Sequence, residues 1–279
     1  MKTLSKRTSE DWVDYFRGNG LVAMRVPWHL GTDLRPEERA AIAHSIRVFQ
    51  LGESSEGYHL MRYARDWAAH SGDAAYTEAI RMLIAEEQRH SSVLARFMEM
   101  NGISKIKRGF SDQVFRRLRN IVGSLEISLG VLVTAEIIAK VYYPALSSAT
   151  ESRLLRAICE QIYQDEVAHV EFQTEQLAHI RAHRRALAIW ATAFLHRVLF
   201  YGTAVVVGVS HRAVLRRSGL GFLSFFRECR REFLLDLAAI DTRNRIVDRE
   251  TASHDKGRSF GTIYSGDATH TQVRLAERN

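Results

Sequence analysis

Apolar and polar positions along the chain follow a helical period, and no stretch sustains the two-residue alternation of a half-buried strand. Ile42, Ile46, Phe49, Leu60, Tyr63 and Trp67 recur at spacings of three, four, seven or eleven, which marks one buried stripe. Pro36, Glu37 and Glu38 open that stretch as a helix start, because proline fits the first turn and acids favour the positive helix end. The pattern predicts a first helix from Pro36 to about Ala69. His70-Ser71-Gly72-Asp73 then turns the chain. A second helix is predicted from about Ala74 to Met100, closed by Asn101-Gly102. After a basic loop with Lys105, Lys107 and Arg108, a third covers roughly 112–146. Ser147-Ser148-Ala149 leads into a fourth, from about Glu151 to Ala182. A fifth, long and apolar, is predicted over about 184–217. Ser218-Gly219-Leu220-Gly221 breaks it, and a sixth runs to about Ile240.

These elements divide the chain into four segments. Residues 1–35 read as an N-terminal leader, with a short helix around Glu10–Arg17 and an irregular stretch through Gly18, Gly20, Pro27 and Gly31. Residues 36–182 hold four long helices whose short connections predict antiparallel neighbours, hence an all-α four-helix bundle. Residues 183–242 supply two additional helices packed on it. Residues 243–279 are polar and read as a disordered tail. Ala186 to Val209 is long and apolar enough to span a bilayer. His196 and Arg197 sit at its middle, where charge is costly in hydrocarbon, so a buried or cavity-lining helix is expected and no membrane span.

Composition narrows the classes. Of 279 residues, 46% are hydrophobic and 25% charged, as in soluble globular proteins. Three Pro and 17 Gly exclude collagen-like and proline-rich chains. Cys159 and Cys229 are too few for a disulfide framework or a four-thiolate site, which suits a reducing, cytoplasmic setting. The net charge is +7, with 33 Arg against 6 Lys. Such a surplus suits nucleic acid or an acidic membrane as partner, and equally an arginine-rich solvated surface, which is the favoured reading.

Chemistry enters through two segments. The second helix contains Glu86-Glu87-Gln88-Arg89-His90 and the fourth Asp165-Glu166-Val167-Ala168-His169. Both read acid-Glu-x-x-His. Residues three apart share a helix face, so Glu87 with His90, and Glu166 with His169, can reach one metal together. About one Glu-x-x-His match is expected by chance from the Glu and His content; three occur, the third being Glu56-Gly57-Tyr58-His59. Requiring an acid just before the Glu lowers the expectation to about 0.1, and two occur, 79 residues apart. Two facing helices of this kind, plus one Glu from each remaining helix, form a carboxylate-bridged two-metal site. On the third helix the candidate is Glu136, alone in an apolar run and expensive to bury unless it binds something. On the first, Glu53 and Glu56 both fall on the buried stripe, and either could be the ligand.

With these residues in view, the chain resembles the ferritin-like superfamily of di-iron carboxylate proteins, which includes rubrerythrins, bacterioferritins, ribonucleotide reductase small subunits and acyl-carrier desaturases. The resemblance covers roughly residues 36–182. Phe49 with Gly52-Glu53-Ser54-Ser55 is similar to the first-helix motif of rubrerythrins, which favours Glu53 over Glu56. It implies Glu87 and Glu166 as bridging or chelating ligands, His90 and His169 as nitrogen ligands, and Glu136 and Glu53 as terminal ligands. Glu86 and Asp165 would then hydrogen-bond the opposite helix's imidazole. The implied cofactor is two irons per chain, or a mixed manganese–iron pair. The implied function is an oxidase or oxygenase that activates O2 or peroxide on an unidentified substrate. Alternatives are a ferritin- or rubrerythrin-type protein handling iron or removing peroxide, and a tRNA-directed hydroxylase, with nucleic acid the less favoured partner. A homodimer is a possible assembly. The chain lacks a Cys-x-x-Cys pair, so a separate electron donor is expected.

Overall fold

Helices account for nearly all regular structure in a computed structural model that describes residues 7–22, 26–54, 57–107, 124–182 and 184–240; no strand occurs among the described residues. The helices are α1 (Ser9–Val22), α2 (Pro36–Glu53), α3 (Tyr58–Ser71), α4 (Ala74–Met100), α5 (Leu125–Ser148), α6 (Arg153–Ala182), α7 (Ala186–Ser210), α8 (Arg212–Arg217) and α9 (222–240), with a 3-10 turn at Trp28–Leu30.

Local chemistry sets the boundaries. Pro36 occupies the first turn of α2, and buried Glu38 accepts the Arg35 N–H at 3.2 Å. The other oxygen of Glu38 accepts the Glu151 N–H at 2.8 Å, tying this helix start to the turn between α5 and α6. Asp73 caps α4 by accepting the Tyr76 N–H at 3.1 Å, and Ser152 caps α6 through the Leu155 N–H at 3.1 Å. Each such cap is worth about 1 kcal/mol.

Three departures from the sequence-based elements bear on the site. The single helix expected over Pro36–Ala69 is two, because Gly57 adopts φ +64° between α2 and α3. The break makes Glu53 the last residue of α2. Substitution by alanine at Gly57 would also drive a Cβ into the Ile84 side chain. Gly57→Ala is expected to destabilise by about 1–2 kcal/mol in denaturant unfolding, whereas Gly52→Ala, with open space around it, stays within about 0.5 kcal/mol of wild type. At the N-terminus α1 runs through Gly18 and Gly20 instead of ending at Arg17. Trp12, Val13 and Phe16 are buried against α4 and α6, and that packing outweighs the glycines' entropy. Third, the helix expected over 184–217 is interrupted at His211, whose buried ring lies 2.6 Å from Ser45 Oγ.

The apolar interior falls into two clusters. One contains Tyr76, Leu83, Leu129, Ile137 and Phe172; the other contains Ile42, Ile46, Leu94, Phe97, Tyr142 and Ile158. In α4 and α5 the first cluster takes the N-terminal half and the second the C-terminal half. In α6 the order is reversed. So α4 and α5 run in one direction and α6 in the other, which departs from the antiparallel order expected of every pair of sequence neighbours, and α2 enters the second cluster before ending at the boundary. That boundary is a polar layer crossed by four helices.

Residues 108–123 and 241–279 lie outside the described residues, as does Glu56; these include Arg116, Arg117 and Arg119, the start of the expected third helix and the expected tail.

Candidate metal centre

The polar layer is built from the residues singled out by spacing. Glu53 from α2, Glu87 and His90 from α4, Glu136 from α5, and Glu166 and His169 from α6 converge between the two clusters. Their ligand atoms form two overlapping groups, each within 4.8 Å. Glu53, Glu87, His90 and Glu166 make one; Glu87, Glu136, Glu166 and His169 make the other. Glu87 and Glu166 belong to both. Atoms bound to one ion at about 2.1 Å are at most ~4.2 Å apart, so small side-chain rotations would close either group on a cation.

Each imidazole is held from behind. His90 Nε2 lies 3.0 Å from Asp165 Oδ2 and His169 Nε2 lies 2.9 Å from Glu86 Oε2, so each α4–α6 pair is linked crosswise. Donation of the Nε2 proton to a carboxylate leaves Nδ1 free to face inward. His90 Nδ1 has no hydrogen-bond partner and stands 3.7 Å from Glu166 Oε1 and 4.0 Å from Glu53 and Glu87. His169 Nδ1 lies 3.0 Å from Glu87 Oε1, outside hydrogen-bond alignment, and also has no partner. One oxygen each of Glu87, Glu136 and Glu166 is buried and unpaired too. Five orphaned donor atoms around one space cost about 1–3 kcal/mol apiece, a cost that a bound cation removes.

A further ring of contacts fixes the carboxylates. Tyr143 donates its hydroxyl to Glu53 Oε1 at 2.6 Å, and Gln173 donates to Glu136 Oε1. Asn19 of α1 donates to both Glu86 (2.7 Å) and Asp165 (3.0 Å), and Arg89 donates to Glu86 at 2.6 Å. Spacing gave some notice of Gln173, which lies four residues after His169 on the same face of α6. Nothing local announced Asn19, which sits between two glycines in what reads as a turn.

The electrostatics reflect many acids in little water. Burial, reinforced by the Glu87 charge, pushes Glu53 and Glu166 well above the usual carboxylate range. Burial likewise pushes Glu136 up to about 8, against the pull of His169 and Gln173. Burial also works to raise Glu87, but His169 and His90 outweigh it and hold that carboxyl down at about 2. Burial disfavours charged His169, yet Glu86 and Glu87 raise its pKa well above the ordinary imidazole value. Protons thus stand where a cation could. Mixed carboxylate and imidazole donors suit iron, manganese or zinc.

Other candidates fall elsewhere. His59 is exposed, so the third Glu-x-x-His does not join the cluster from its histidine side. Cys159 is buried in the second apolar cluster, and Cys229 is buried with its thiol pushed up to about 12 by burial. Of the many arginines, Arg181 is buried against Glu126 at 3.0 Å and Arg217 donates to the Ala149 carbonyl at 2.7 Å.

Compared with known proteins, the chain matches no family model, no curated protein and no solved structure.

Proposed function

We propose that the chain is a di-iron carboxylate oxidoreductase built on a ferritin-like four-helix bundle of α2, α4, α5 and α6. The observation that carries this reading is the pair of ligand groups sharing Glu87 and Glu166. Two ions held by shared carboxylates, each with one imidazole, is the donor set of an oxygen-reactive metal pair. The helix directions support the bundle: α4 and α5 run parallel to each other and α6 runs against both.

Each residue then has a role. Glu87 and Glu166 span the two positions. Glu53 with His90, and Glu136 with His169, complete them. Tyr143 and Gln173 orient the terminal carboxylates by holding one oxygen each and leaving the other inward. Asp165 and Glu86 keep each histidine in the tautomer that presents Nδ1. Leu83, Ile137 and Phe16, whose ring centre lies 6.0 Å from His169, keep bulk water from the layer. When bound, two irons supply the electrons that reduce O2 or peroxide. Neither cysteine is placed to relay electrons, since both are buried without a second thiol, so a separate donor protein is part of the proposal.

The test is anaerobic loading with Fe(II), then exposure to oxygen. Two irons per chain and a near-ultraviolet ferric absorption on oxygen exposure are expected. A single zinc, or no iron, would sink the reading.

A further inference from the structure

We propose that the exposed apolar face of α7 lies on the surface of an anionic lipid bilayer. The sequence led to the expectation that α7 is buried or lines a cavity, but only 28% of its most apolar 18-residue stretch is buried. The inner side of α7 packs normally. Phe200 stacks on Phe233 of α9 at 4.0 Å, and Gly208 admits the Phe222 and Phe225 rings. The outer side is a stripe of large apolar groups at helical spacing. Leu187 is 77% exposed, Trp190 65%, Phe194 56% and Val209 54%, with Val198 and Val205 between them. From Leu187 to Val209 the stripe is about 33 Å long. On α9, Leu223 and Leu235 are large apolar groups left exposed as well, 71% and 60%. A soluble surface rarely leaves so long an apolar stripe uncovered.

Charge identifies what covers it. No Asp or Glu occurs anywhere from residue 176 to 227. The same stretch carries exposed Arg185 before α7, Arg197 at its middle, Arg212 and Arg216 beyond its end, and Arg227 on α9. The acids nearest in α9 are engaged: Glu232 with Lys140 at 3.0 Å and Glu228 with Arg231 at 3.0 Å. A second copy on the same face would set arginine against arginine with no acid to answer it. An anionic leaflet answers it with phosphates, while the side chains between the arginines enter the acyl boundary. The arrangement fits lying on the membrane and not crossing it. One side of α7 is committed to α5 and α9, with buried His196 3.1 Å from Thr134, and Arg197 stands midway along. Its long side chain can reach back to the headgroups from a helix in the interface plane. Trp190 and Phe194, stacked at 5.8 Å, are the kind of pair that settles at that depth.

The test is sedimentation of the full chain with vesicles of phosphatidylcholine alone or mixed with phosphatidylglycerol, at two salt concentrations. Binding to the mixed vesicles, weakened by salt, is expected, with a blue shift of tryptophan emission that Trp190→Phe abolishes while binding persists. The double variant Trp190→Ser/Phe194→Ser should weaken binding about tenfold without changing circular dichroism or metal content. Arg197→Glu with Arg212→Glu should remove the preference for anionic vesicles and leave the apolar groups in place. Absence of vesicle binding, or binding untouched by both double variants, overturns the proposal. So does a dimer in lipid-free solution that Trp190→Ser/Phe194→Ser converts to monomer, or an RNA that binds the same arginines and excludes vesicles.

Discussion

Glu87→Ala and Glu166→Ala are each expected to abolish binding of both metal ions of the proposed pair. Both carboxylates belong to both ligand groups, so removing either opens both positions at once. Glu53→Ala and His90→Ala should instead empty one position and leave the other, held by Glu136 and His169. Glu136→Ala and His169→Ala should do the converse. Loss of a ligand itself should cost more than about 100-fold in affinity, the upper end of what losing an outer hydrogen-bonding partner costs. Metal content by mass spectrometry, on protein loaded with Fe(II) or Mn(II) and freed of excess, reads all six variants. The split between total and half loss is the sharp part of the expectation. A single shared ion would make all six variants equivalent, and an assignment of Glu87 or Glu166 to one position alone would leave half the metal in that variant. Folding is monitored in parallel, because each variant removes a polar side chain from a buried site where unfilled donors already strain the apoprotein.

The residues that meet in this layer were legible because helical spacing is a local property. Glu87 with His90, and Glu166 with His169, needed only the helix period and an acid before each Glu. Glu136 stood out because an apolar run makes a lone acid costly. What spacing could not supply was the chain's path between helices. Periodicity continues the stripe straight through the break between α2 and α3; the structure places Glu53, the last residue of α2, in the layer, and Glu56 lies outside the described residues. Asn19 reaches Glu86 and Asp165 because α1 docks across α4 and α6, a tertiary contact with no local signature. The outer face of α7 was misjudged for a related reason. Apolar content reports a preference to leave water, and it does not say whether protein or lipid provides the shelter.

Loading the site with metal should expel protons, and the affinity should therefore climb with pH. Burial keeps Glu136 protonated in the apoprotein until about pH 8, and Glu53 and Glu166 are raised above the usual range as well. His169 is raised too, so its Nδ1 must shed a proton before it can ligate. Glu87, held down at about 2, is already ionised and contributes none. Metal takes the deprotonated forms, so each proton displaced gives about a tenfold rise in apparent affinity per pH unit. The rise due to Glu136 ends near pH 8. The stability of the apoprotein runs the opposite way. A carboxyl whose folded pKa exceeds its unfolded value stabilises the folded state below about pH 4.5, and that contribution is lost as pH rises through about 8. The thermal midpoint of the apoprotein should therefore fall across this window while that of the metal-loaded protein holds, and the gap between them should widen. Calorimetric titration of Mn(II) in two buffers of different ionisation enthalpy counts the protons, and thermal melts of both forms across the window give the gap. A titration that releases no proton at pH 7 would show that Glu53, Glu136 and Glu166 are ionised and His169 neutral without metal, and those four groups would then have to be satisfied by something other than protons.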